Sequence, residues 1–485
     1  MIAERSFCKA KIIGAFLFGI VIQGCGPRLQ TSVLIKMVEN QDKYFRQEVI
    51  PPFEKEQNVD IDVISYPEIE KLEEELQKYA GNAGLVKVPF GKSASLIRQN
   101  LIKPLNSFLP PDEIKEYTDT YLLTSLSKYG EEYYFVPRKF ETRIMVFRKS
   151  RVADALAVWR DHKDSIDAAL KKINGYGLPA AYHFENDPNK WDFFDIFTCG
   201  WVWAHTSYGG KKMPRIAHRG KLYSGTSLRI VDRIFQCGGD STAVLTMKGD
   251  AVADAVHWEA VYAAGGIYNK KMWEEQWSGG GVWKGFESGE VFLAFMTQLD
   301  CFFIHGTGQD NLHGYLDNPD DMGVAVMPTG CSVEVDNKGV IVREGRKSIT
   351  TGGWWWGIPR TAPDPELSYK LARHITNPEN QIQGCSRFGM IPVQKSILSD
   401  MSMMFGGGWV TEMYEVSFKQ LMENKYTMVP SNAHFAEISN LYLEIWSDVI
   451  INKNWSSDNS MPEFSYIKKH IETVYAQKVN DLMGR

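Results

Sequence analysis

The sequence predicts an α/β protein that is divided into at least two lobes. Strand and helix patterns alternate along the chain, and this order builds a mainly parallel sheet with helices on its faces. The chain has 485 residues, which exceeds the roughly 250–300 residues that a single hydrophobic core usually serves. Two lobes of this size can enclose a cleft between them.

The elements of the first lobe follow in order after a short polar stretch. Residues 32–37 predict a strand, and apolar residues at helical spacing predict a helix over 44–53. This helix should be strained or ended near its two prolines, because proline lacks a backbone donor. Apolar residues then alternate with aspartates over 59–63, which is the period of a strand, and 69–79 returns to helical spacing.

The same alternation resumes later in the chain. Apolar spacing predicts a helix over 252–262, a buried strand with its exit over 291–303, a strand over 323–327, a helix over 367–375 and a terminal helix over 464–474. A Pro-Asp-Pro turn at 363–365 should open the helix over 367–375. Residues 205–226, rich in Gly, Lys, Arg and Ser, show little pattern and are expected to form a surface excursion.

The chain begins with a segment typical of secretion signals. A charge-free apolar run spans 12–22 after three basic residues, and a glycine and Cys25 follow shortly after it. The run is shorter than the roughly 20 apolar residues of a membrane-spanning helix. We therefore expect removal of residues 1–24, lipidation of Cys25 and a tether over 25–30. A buried N-terminal core helix is the alternative interpretation.

Charge and location follow from this interpretation. The formal net charge is −5, and loss of a leader with three basic residues and one acidic residue would make it −7. Such mild acidity lacks the concentrated basic face of nucleic-acid-binding proteins, so we expect no nucleic-acid partner. We expect a monomer outside the cytoplasm, in the periplasm or on the outer surface, held to a membrane by its lipid.

Five cysteines remain after the leader and the lipidation site. They are Cys199, Cys237, Cys301, Cys331 and Cys385. Their spacing contains no Cys-x-x-Cys pair, and neither cysteine nor histidine spacing matches a zinc pattern, so we expect no metal and no cofactor. One or two disulfides, or several small buried apolar side chains, are both consistent with the sequence.

Four segments in order resemble one family. They are PPFEKE with the strand VDIDVIS (51–65), YYFVPRKFETRIMVFRKS (133–150), GFESGEVFLAFMTQLDCF (285–302) with MGVAVMP (322–328), and the GG-strand segment with its G-x-x-P close (351–394). This series resembles the sugar-type extracellular solute-binding proteins of ABC importers, the maltose-binding-protein-like group. The resemblance covers most of the chain after the leader.

The resemblance implies a two-lobe periplasmic-binding-protein-like fold of type II, with crossing strands and a ligand cleft between the lobes. It divides the chain into 31–138 plus 296–349 for lobe 1, and 139–295 plus 350–485 for lobe 2. It also implies reversible binding of a carbohydrate or other polyhydroxylated solute, no enzymatic activity, and ABC permease subunits as partners. A secreted carbohydrate-active enzyme, or a binder of a non-sugar charged metabolite on the same fold, are the alternatives.

Three adjacent tryptophans are the first candidates for ligand contact. Trp354, Trp355 and Trp356 follow two glycines, which permit close backbone approach, and an indole face can stack on a sugar ring. In a strand, Trp354 and Trp356 would share one face and Trp355 would take the other. Packing of the sheet against its helices is the alternative role.

Charged residues of the first crossing segment are the second candidates. Glu141 could accept two sugar hydroxyls, with Arg138 and Arg143 as neighbouring donors. A solvated ion pair at the hinge is the alternative.

Further candidates are two aromatic residues at the start of a helix that borders the cleft in the family, two polar residues that could contact a ligand from the cleft side, and one loop aromatic. Trp191 and Phe194 open a second-lobe helix, Gln298 and Asp300 end the third segment, and Phe435 lies in a polar loop. Core packing for the aromatic residues and turn formation for the polar ones are the alternatives.

Overall fold

A computed structural model describes residues 28–206, 213–307, 313–423, 432, 434–455 and 461–484. The chain forms two α/β lobes, each built around its own sheet. The strands are β1 Leu29–Ile35, β2 Val59–Ser65, β3 Ala83–Pro89, β4 Lys128–Tyr129, β5 Glu132–Tyr133, β6 Phe135–Glu141, β7 Arg143–Arg148, β8 Arg215–Ala217, β9 Val291–Thr297, β10 Met322–Ala325 and β11 Gly352–Gly357. The two-lobe α/β fold predicted from the sequence is therefore confirmed.

The sheet of lobe 1 has five strands in the order β2-β1-β3-β11-β6. Strand β1 runs parallel to β2 and β3, whereas β11 runs antiparallel to β3 and β6. In β2 the alternation of apolar residues and aspartates predicted a strand correctly, with Val59 and Val63 buried and Asp62 exposed. Strand β3 lies in the middle of the sheet, and six of its seven residues are buried.

The sheet of lobe 2 has four strands in the order β10-β7-β9-β8. Strand β7 is antiparallel to both neighbours, and β8 is parallel to β9. Strand β8 and the first turn of the helix at 224 lie in the region predicted as a surface excursion. That prediction was wrong for 213–226, because Ile216 and Ala217 are fully buried beside β9.

In the part of the chain that the structure describes, three crossings connect the lobes. The first crossing is at Thr142, between β6 and β7, and the second lies just before β11. The third is at Gly406–Gly408, where three successive glycines have φ of 75°, 79° and 74°. A positive φ of this size suits glycine, which has no Cβ to clash with the backbone.

The sheets divide the later part of the chain differently from the sequence prediction. Strands β9 and β10 pair with β7 in lobe 2, and β11 joins β3 and β6 in lobe 1. Residues 296–349 therefore belong with lobe 2, and 350–405 belong with lobe 1. Pairing between strands that are distant in sequence decides this assignment, and local pattern does not carry that information.

Helices cover both faces of each sheet. They are α1 Glu39–Tyr44, α2 Ile50–Gln57, α3 Leu72–Lys78, α4 Ser93–Arg98, α5 Pro111–Thr120, α6 Lys149–Val158, α7 Lys163–Asn174, α8 Phe193–His205, α9 Ser224–Gln236, α10 Ser241–Thr246, α11 Asp250–Ala264, α12 Lys271–Glu274, α13 Gly279–Glu287, α14 Asp300–His305, α15 Pro365–Ile375, α16 Pro378–Phe388, α17 Lys395–Leu398, α18 Met401–Phe405, α19 Gly408–Glu423, α20 Phe435–Ile445, α21 Phe464–His470 and α22 Ala476–Leu482. Within the described ranges, no helix has the length and apolar character that crossing a bilayer requires.

The five later cysteines are buried and free. Of the two alternatives that the sequence left open, the structure therefore has small buried apolar side chains rather than disulfides. Residues 1–27, which include the predicted leader and Cys25, lie outside the described residues.

Candidate functional site

A pocket of about 390 Å³ lies between the two lobes. Its lobe-1 side comes from residues that follow β1 and from strands β3, β6 and β11, while its lobe-2 side comes from the start of α14. The described residues that line it are Lys36, Met37, Val38, Asn40, Gln41, Ile69, Lys87, Lys139, Glu141, Leu299, Phe302, Phe303, Trp354, Arg387 and Phe388. The carboxyl ends of β1 and β3 meet at this edge of the sheet, which is where α/β sheets generally hold ligands.

Trp354 is the candidate tryptophan that reaches the pocket. It is half-buried on β11, and the Nζ atom of Lys87 lies 3.8 Å from its ring centroid. A flat, rigid indole at a cleft wall offers the surface on which the apolar face of a sugar ring can stack. Trp354 therefore lies in the pocket lining, and contact with a ligand stays a prediction.

Trp355 and Trp356 instead belong to the core of lobe 1. Trp355 stacks on Phe90 with ring centroids 4.1 Å apart, and Trp356 stacks on Phe45 at 5.8 Å. Both indoles are fully buried, so neither is among the residues that line the pocket. The alternation in β11 was predicted correctly, but burial leaves only one of the three indoles in the cleft.

Glu141 also lines the pocket, where it forms an ion pair with Lys139. Burial alone would raise the pKa of Glu141, but Lys139, Lys87 and Arg143 together hold it below its ordinary value. Glu141 is therefore ionised at neutral pH and can accept hydrogen bonds from a solute's hydroxyls.

Arg138 lies behind the pocket wall and does not line it. Its guanidinium is buried, and its Nη1 and Nη2 atoms lie 3.3 Å and 3.8 Å from the sulfur atoms of Met390 and Met37. Burial lowers the pKa of Arg138 to about 10, so the side chain stays charged at neutral pH. The predicted direct contact with ligand does not fit this position, but an electrostatic influence on the pocket does.

Arg143 and Gln298 tie the crossing segments together. Arg143 forms an ion pair with the buried Asp232 at 3.0 Å and donates to Thr350 Oγ1 at 2.8 Å. Gln298 accepts from the backbone N–H of Thr142 and donates to the carbonyl of Gly389. Arg143 therefore forms an ion pair at the crossing, but the pair is largely buried and not solvated as the alternative assumed. Neither Arg143 nor Gln298 lines the pocket.

Asp300 supports the pocket from behind. Its carboxylate accepts from Trp283 Nε1 at 3.0 Å, from Arg219 at 3.1 Å and from Thr297 Oγ1 at 2.6 Å. Trp283 in turn stacks on Phe303, whose ring lines the pocket, with centroids 4.1 Å apart. Asp300 thus orients the residues behind the lobe-2 wall and has no direct place in the lining.

The remaining aromatic candidates lie away from the pocket. Trp191 is buried in lobe 2 and donates through Nε1 to the carbonyl of Glu185, and Phe194 packs edge-on against Trp258. Phe435 is half-buried at the first turn of α20. Core packing, the alternative role for these aromatic residues, is what their surroundings support.

Sequence reasoning missed much of the lining. Lys36, Met37 and Gln41 directly follow β1, and Lys87 sits within an apolar strand pattern. The position just past the first strand was the available signal, because that edge of an α/β sheet is the usual ligand edge. Among the described residues, no group of three or more His, Cys, Asp and Glu side chains is placed to hold a metal ion.

Comparison with known families places the chain among binding proteins. The profile of a family described as bacterial extracellular solute-binding protein matches residues 48–411. No curated protein matches the chain.

Solved structures of the same fold cover nearly the whole chain. Maltose-bound MalE3 of T. maritima is 13% identical, with a TM-score of 0.61, and the match covers 92% of this chain and 99% of that one. An ABC transporter solute-binding protein of Thermotoga lettingae bound with α-D-tagatose is 13% identical, with a TM-score of 0.62 and coverage of 94% and 100%. The GacH receptor of Streptomyces glaucescens, solved without ligand and with acarbose, is 14% identical, with a TM-score of 0.60 and coverage of 94% and 99%. At these identities the likeness concerns the fold.

Proposed function

The chain belongs to the bacterial extracellular solute-binding protein family, and from that premise we propose that it is the substrate-binding protein of an ABC importer. The solute is a carbohydrate or another polyhydroxylated compound, held reversibly in the interlobe pocket and released unchanged to permease subunits in the membrane. The family places the protein outside the cytoplasm.

The observation that carries this proposal is a pocket with walls from both lobes. Trp354 and Glu141 belong to lobe 1, and Leu299, Phe302 and Phe303 belong to lobe 2. A solute that touches both walls binds the closed arrangement better than the open one, and this difference drives closure. Closure then gives the permease a surface that distinguishes loaded from empty protein.

The chemistry of the lining suits a sugar. Trp354 and Phe303 supply aromatic surface for the C–H face of a ring, while Asn40, Gln41 and Glu141 supply polar atoms for hydroxyl groups. A mostly apolar pocket with a few convergent polar groups is the usual form of a small-molecule site. The structures bound with maltose, α-D-tagatose and acarbose add support from proteins of the same fold.

A glycosidase is the weaker alternative. Hydrolysis of a glycosidic bond generally needs two carboxyl groups about 5–9.5 Å apart across the substrate. Among the described residues that line the pocket, Glu141 is the only acidic one. The pocket therefore favours binding over turnover.

The lipid anchor at Cys25 stays a prediction from the sequence. It follows from the apolar run over 12–22 and the glycine before Cys25. Mass spectrometry of the mature N-terminus tests it, because an unmodified Cys25 or an uncleaved leader would contradict the anchor.

Titration calorimetry of the purified mature protein against neutral and acidic mono- and oligosaccharides tests the binding proposal. We expect at least one sugar to bind, and we expect Trp354→Ala to weaken it at least tenfold, or about 1.4 kcal/mol, through loss of ring stacking. Trp273→Ala is the matched control, because Trp273 is equally half-buried but packs against Trp446 in lobe 2. Unchanged affinity in Trp354→Ala would remove the stacking role, and release of hydrolysed product would support the enzyme alternative.

A further inference from the structure

The lobe-1 side of the pocket holds a group of positive side chains, which we call the cationic wall: Lys36, Lys87, Arg138 and Lys139. Three of them line the pocket itself. Arg138 stands behind the lining, with its guanidinium carbon 5.8 Å from the ring centroid of Trp356. Arg387 also lines the pocket, but it pairs with Glu48 at 2.9 Å and is not counted in the wall.

The cationic wall is deeply buried for a set of charged groups. Lys87 is 2% exposed, and Lys139 and Arg138 are each 6% exposed. Lysine and arginine are rarely so buried unless a partner of opposite charge balances them. We therefore ask which partners of opposite charge these three side chains have in the structure.

The partners of the cationic wall are mostly uncharged. Lys87 donates to the carbonyl of Lys36, and Lys36 donates to the carbonyl of Pro67. Among the described residues, the acceptors within reach of the Arg138 guanidinium are two methionine sulfur atoms. Within the described ranges, Lys139 alone of the four has a carboxylate partner, which is Glu141.

The positive groups also act on one another. Burial lowers the pKa of Lys87 strongly, and the neighbouring Arg138 and Lys139 lower it further, against a smaller opposite effect from Glu141. One carboxylate thus faces three deeply buried basic side chains. A buried amine without a counter-charge tends to lose its proton, and an anion placed beside it favours the charged ammonium, so an arrangement of this kind is best satisfied by an anion from outside.

Lobe 2 does not supply that anion. Its described contribution to the lining is Leu299, Phe302 and Phe303, all of which are apolar. Asp300 follows closely in sequence, but its carboxylate is turned to Arg219, Trp283 and Thr297. Closure on a neutral solute would therefore remove water from the cationic wall without replacing it by negative charge.

Resting on the proposed function, we infer that the solute carries an anionic group, so that this protein takes up an acidic sugar rather than a neutral one. The sugar ring lies on Trp354 and Phe303, and its anionic group lies beside Lys87 and Lys139. Lysine ammonium groups act as point charges without the forked geometry of arginine, so a carboxylate, a sulfate and a phosphate all fit this chemistry.

Matched pairs of acidic and neutral sugars test the inference. Galacturonic acid and trigalacturonate are compared with galactose and galactotriose, galactose 6-sulfate with galactose, and glucose 6-phosphate with glucose, all by titration calorimetry. We expect at least one acidic member to bind tenfold or more tightly than its neutral partner. Its affinity should fall only modestly between roughly 20 mM and 300 mM NaCl, because salt screens buried charge interactions much less than exposed ones.

Variants that remove one positive charge test which lysines cause the preference for acidic sugars. Lys87→Met and Lys139→Met keep most of the side-chain length, and each should reduce the affinity ratio of acidic to neutral sugar at least fivefold. Lys92→Met is the matched control, because Lys92 belongs to lobe 1 but pairs with Glu73 outside the pocket. The ratio is measured within each variant, so a general loss of folded protein affects both sugars equally and does not imitate the expected result.

The outcomes separate this inference from the proposed function. If neutral sugars bind as tightly as their acidic partners, the inference that the solute is anionic is wrong, and the proposal that the protein binds a sugar still stands. Binding of citrate or another non-sugar carboxylate, with no sugar bound, would contradict the proposal that the solute is a sugar and would support the inference that it is anionic. Failure of all the acidic probes, or a ratio unchanged in both lysine variants, would overturn the inference.

Discussion

At the scale of single residues, the buried charged side chains of the two lobes differ in whether they have a partner of opposite charge. In lobe 2, Glu259 accepts from Arg233 at 2.7 Å and from the hydroxyl of Tyr268 at 2.8 Å. Burial would raise the pKa of Glu259, but Arg233 and His218 hold it well below its ordinary value. In lobe 1, Lys87 has no such carboxylate among the described residues that contact it. Arg233 is thus paired within the protein, whereas the pairing that we infer for Lys87 is with the solute.

A buried histidine gives a prediction at the same scale. His257 is fully buried in α11, and its Nε2 atom lies 2.7 Å from the carbonyl oxygen of Pro462. Burial lowers the pKa of His257 to about 4, from 6.5 in the unfolded chain. Between these pH values the unfolded chain binds a proton that the folded protein does not, so the free energy of unfolding falls as pH falls.

We expect this histidine to remove about 3 kcal/mol of stability between pH 6.5 and pH 4. His257→Asn should therefore flatten the pH dependence of urea denaturation over that range, although it also lowers stability at pH 7. His183→Asn, at an exposed position, is the control. Parallel pH profiles for wild type and His257→Asn would show that another group causes the acid loss.

At the scale of elements, the helix that begins at residue 39 shows how a proline pair is accommodated. The chain forms α1, then a π-helical segment over Phe45–Val49, and then α2. Pro51 and Pro52 fall in the first turn of α2, where a missing backbone N–H costs little. The sequence predicted strain or a helix end near these prolines. In the structure the helix continues, and a wider π-helical turn lies just before the prolines.

Strand β11 gives a prediction at this scale. Gly353 has a φ of 154°, and a Cβ built on it would lie 2.5 Å from the carbonyl oxygen of Lys139. Gly353→Ala should therefore lower the free energy of unfolding by about 1–3 kcal/mol, because both the clash and the backbone conformation are unfavourable. Urea denaturation measures the change.

The neighbouring glycine supplies the control for this variant. A Cβ on Gly352 would meet Glu141 at 3.8 Å, which is ordinary contact distance, so Gly352→Ala should be close to wild type in stability. Equal destabilisation by the two substitutions would show that the strand, rather than the close approach to Lys139, sets the cost.

At the scale of the whole molecule, we propose that the crossings act as a hinge between the two lobes. Arg143 with Asp232 and Gln298 with Thr142 hold the crossing segments in place. Gly406–Gly408 link α18 of lobe 1 to α19, which contacts β7 and β10 of lobe 2. Motion concentrated at a few residues between packed units is the usual basis of hinge closure.

We expect a bound sugar to close this hinge. Small-angle scattering should show a smaller radius of gyration at saturating sugar, and sugar at 100 times its Kd should raise the free energy of unfolding by about 2.7 kcal/mol. At a sugar concentration equal to the wild-type Kd, where the wild type is half saturated, Trp354→Ala should be only about one-tenth saturated and should stay close to the radius of the free protein. A bound sugar with an unchanged radius would indicate a pocket that is already closed.

The sequence by itself determined the local elements and the class of fold. Alternation predicted β2, and the turn before Pro365 predicted the start of α15, where Asp364 caps the backbone N–H of Leu367 at 2.9 Å. These features depend on residues a few positions apart, so their physics is contained in a short window. Four ordered segments then indicated the two-lobe family.

Only the tertiary structure decided where β11 belongs and which residues reach the pocket. Trp354 pairs with Pro89 and Lys139, which are more than 200 residues away in the chain. Alternation along the strand separates Trp355 from Trp354 and Trp356, but it does not say which indole reaches the cleft. Packing against Phe90 and Phe45 buries Trp355 and Trp356 and leaves Trp354 in the pocket lining. Burial and charge balance arise from contacts distant in sequence, and local periodicity does not contain them.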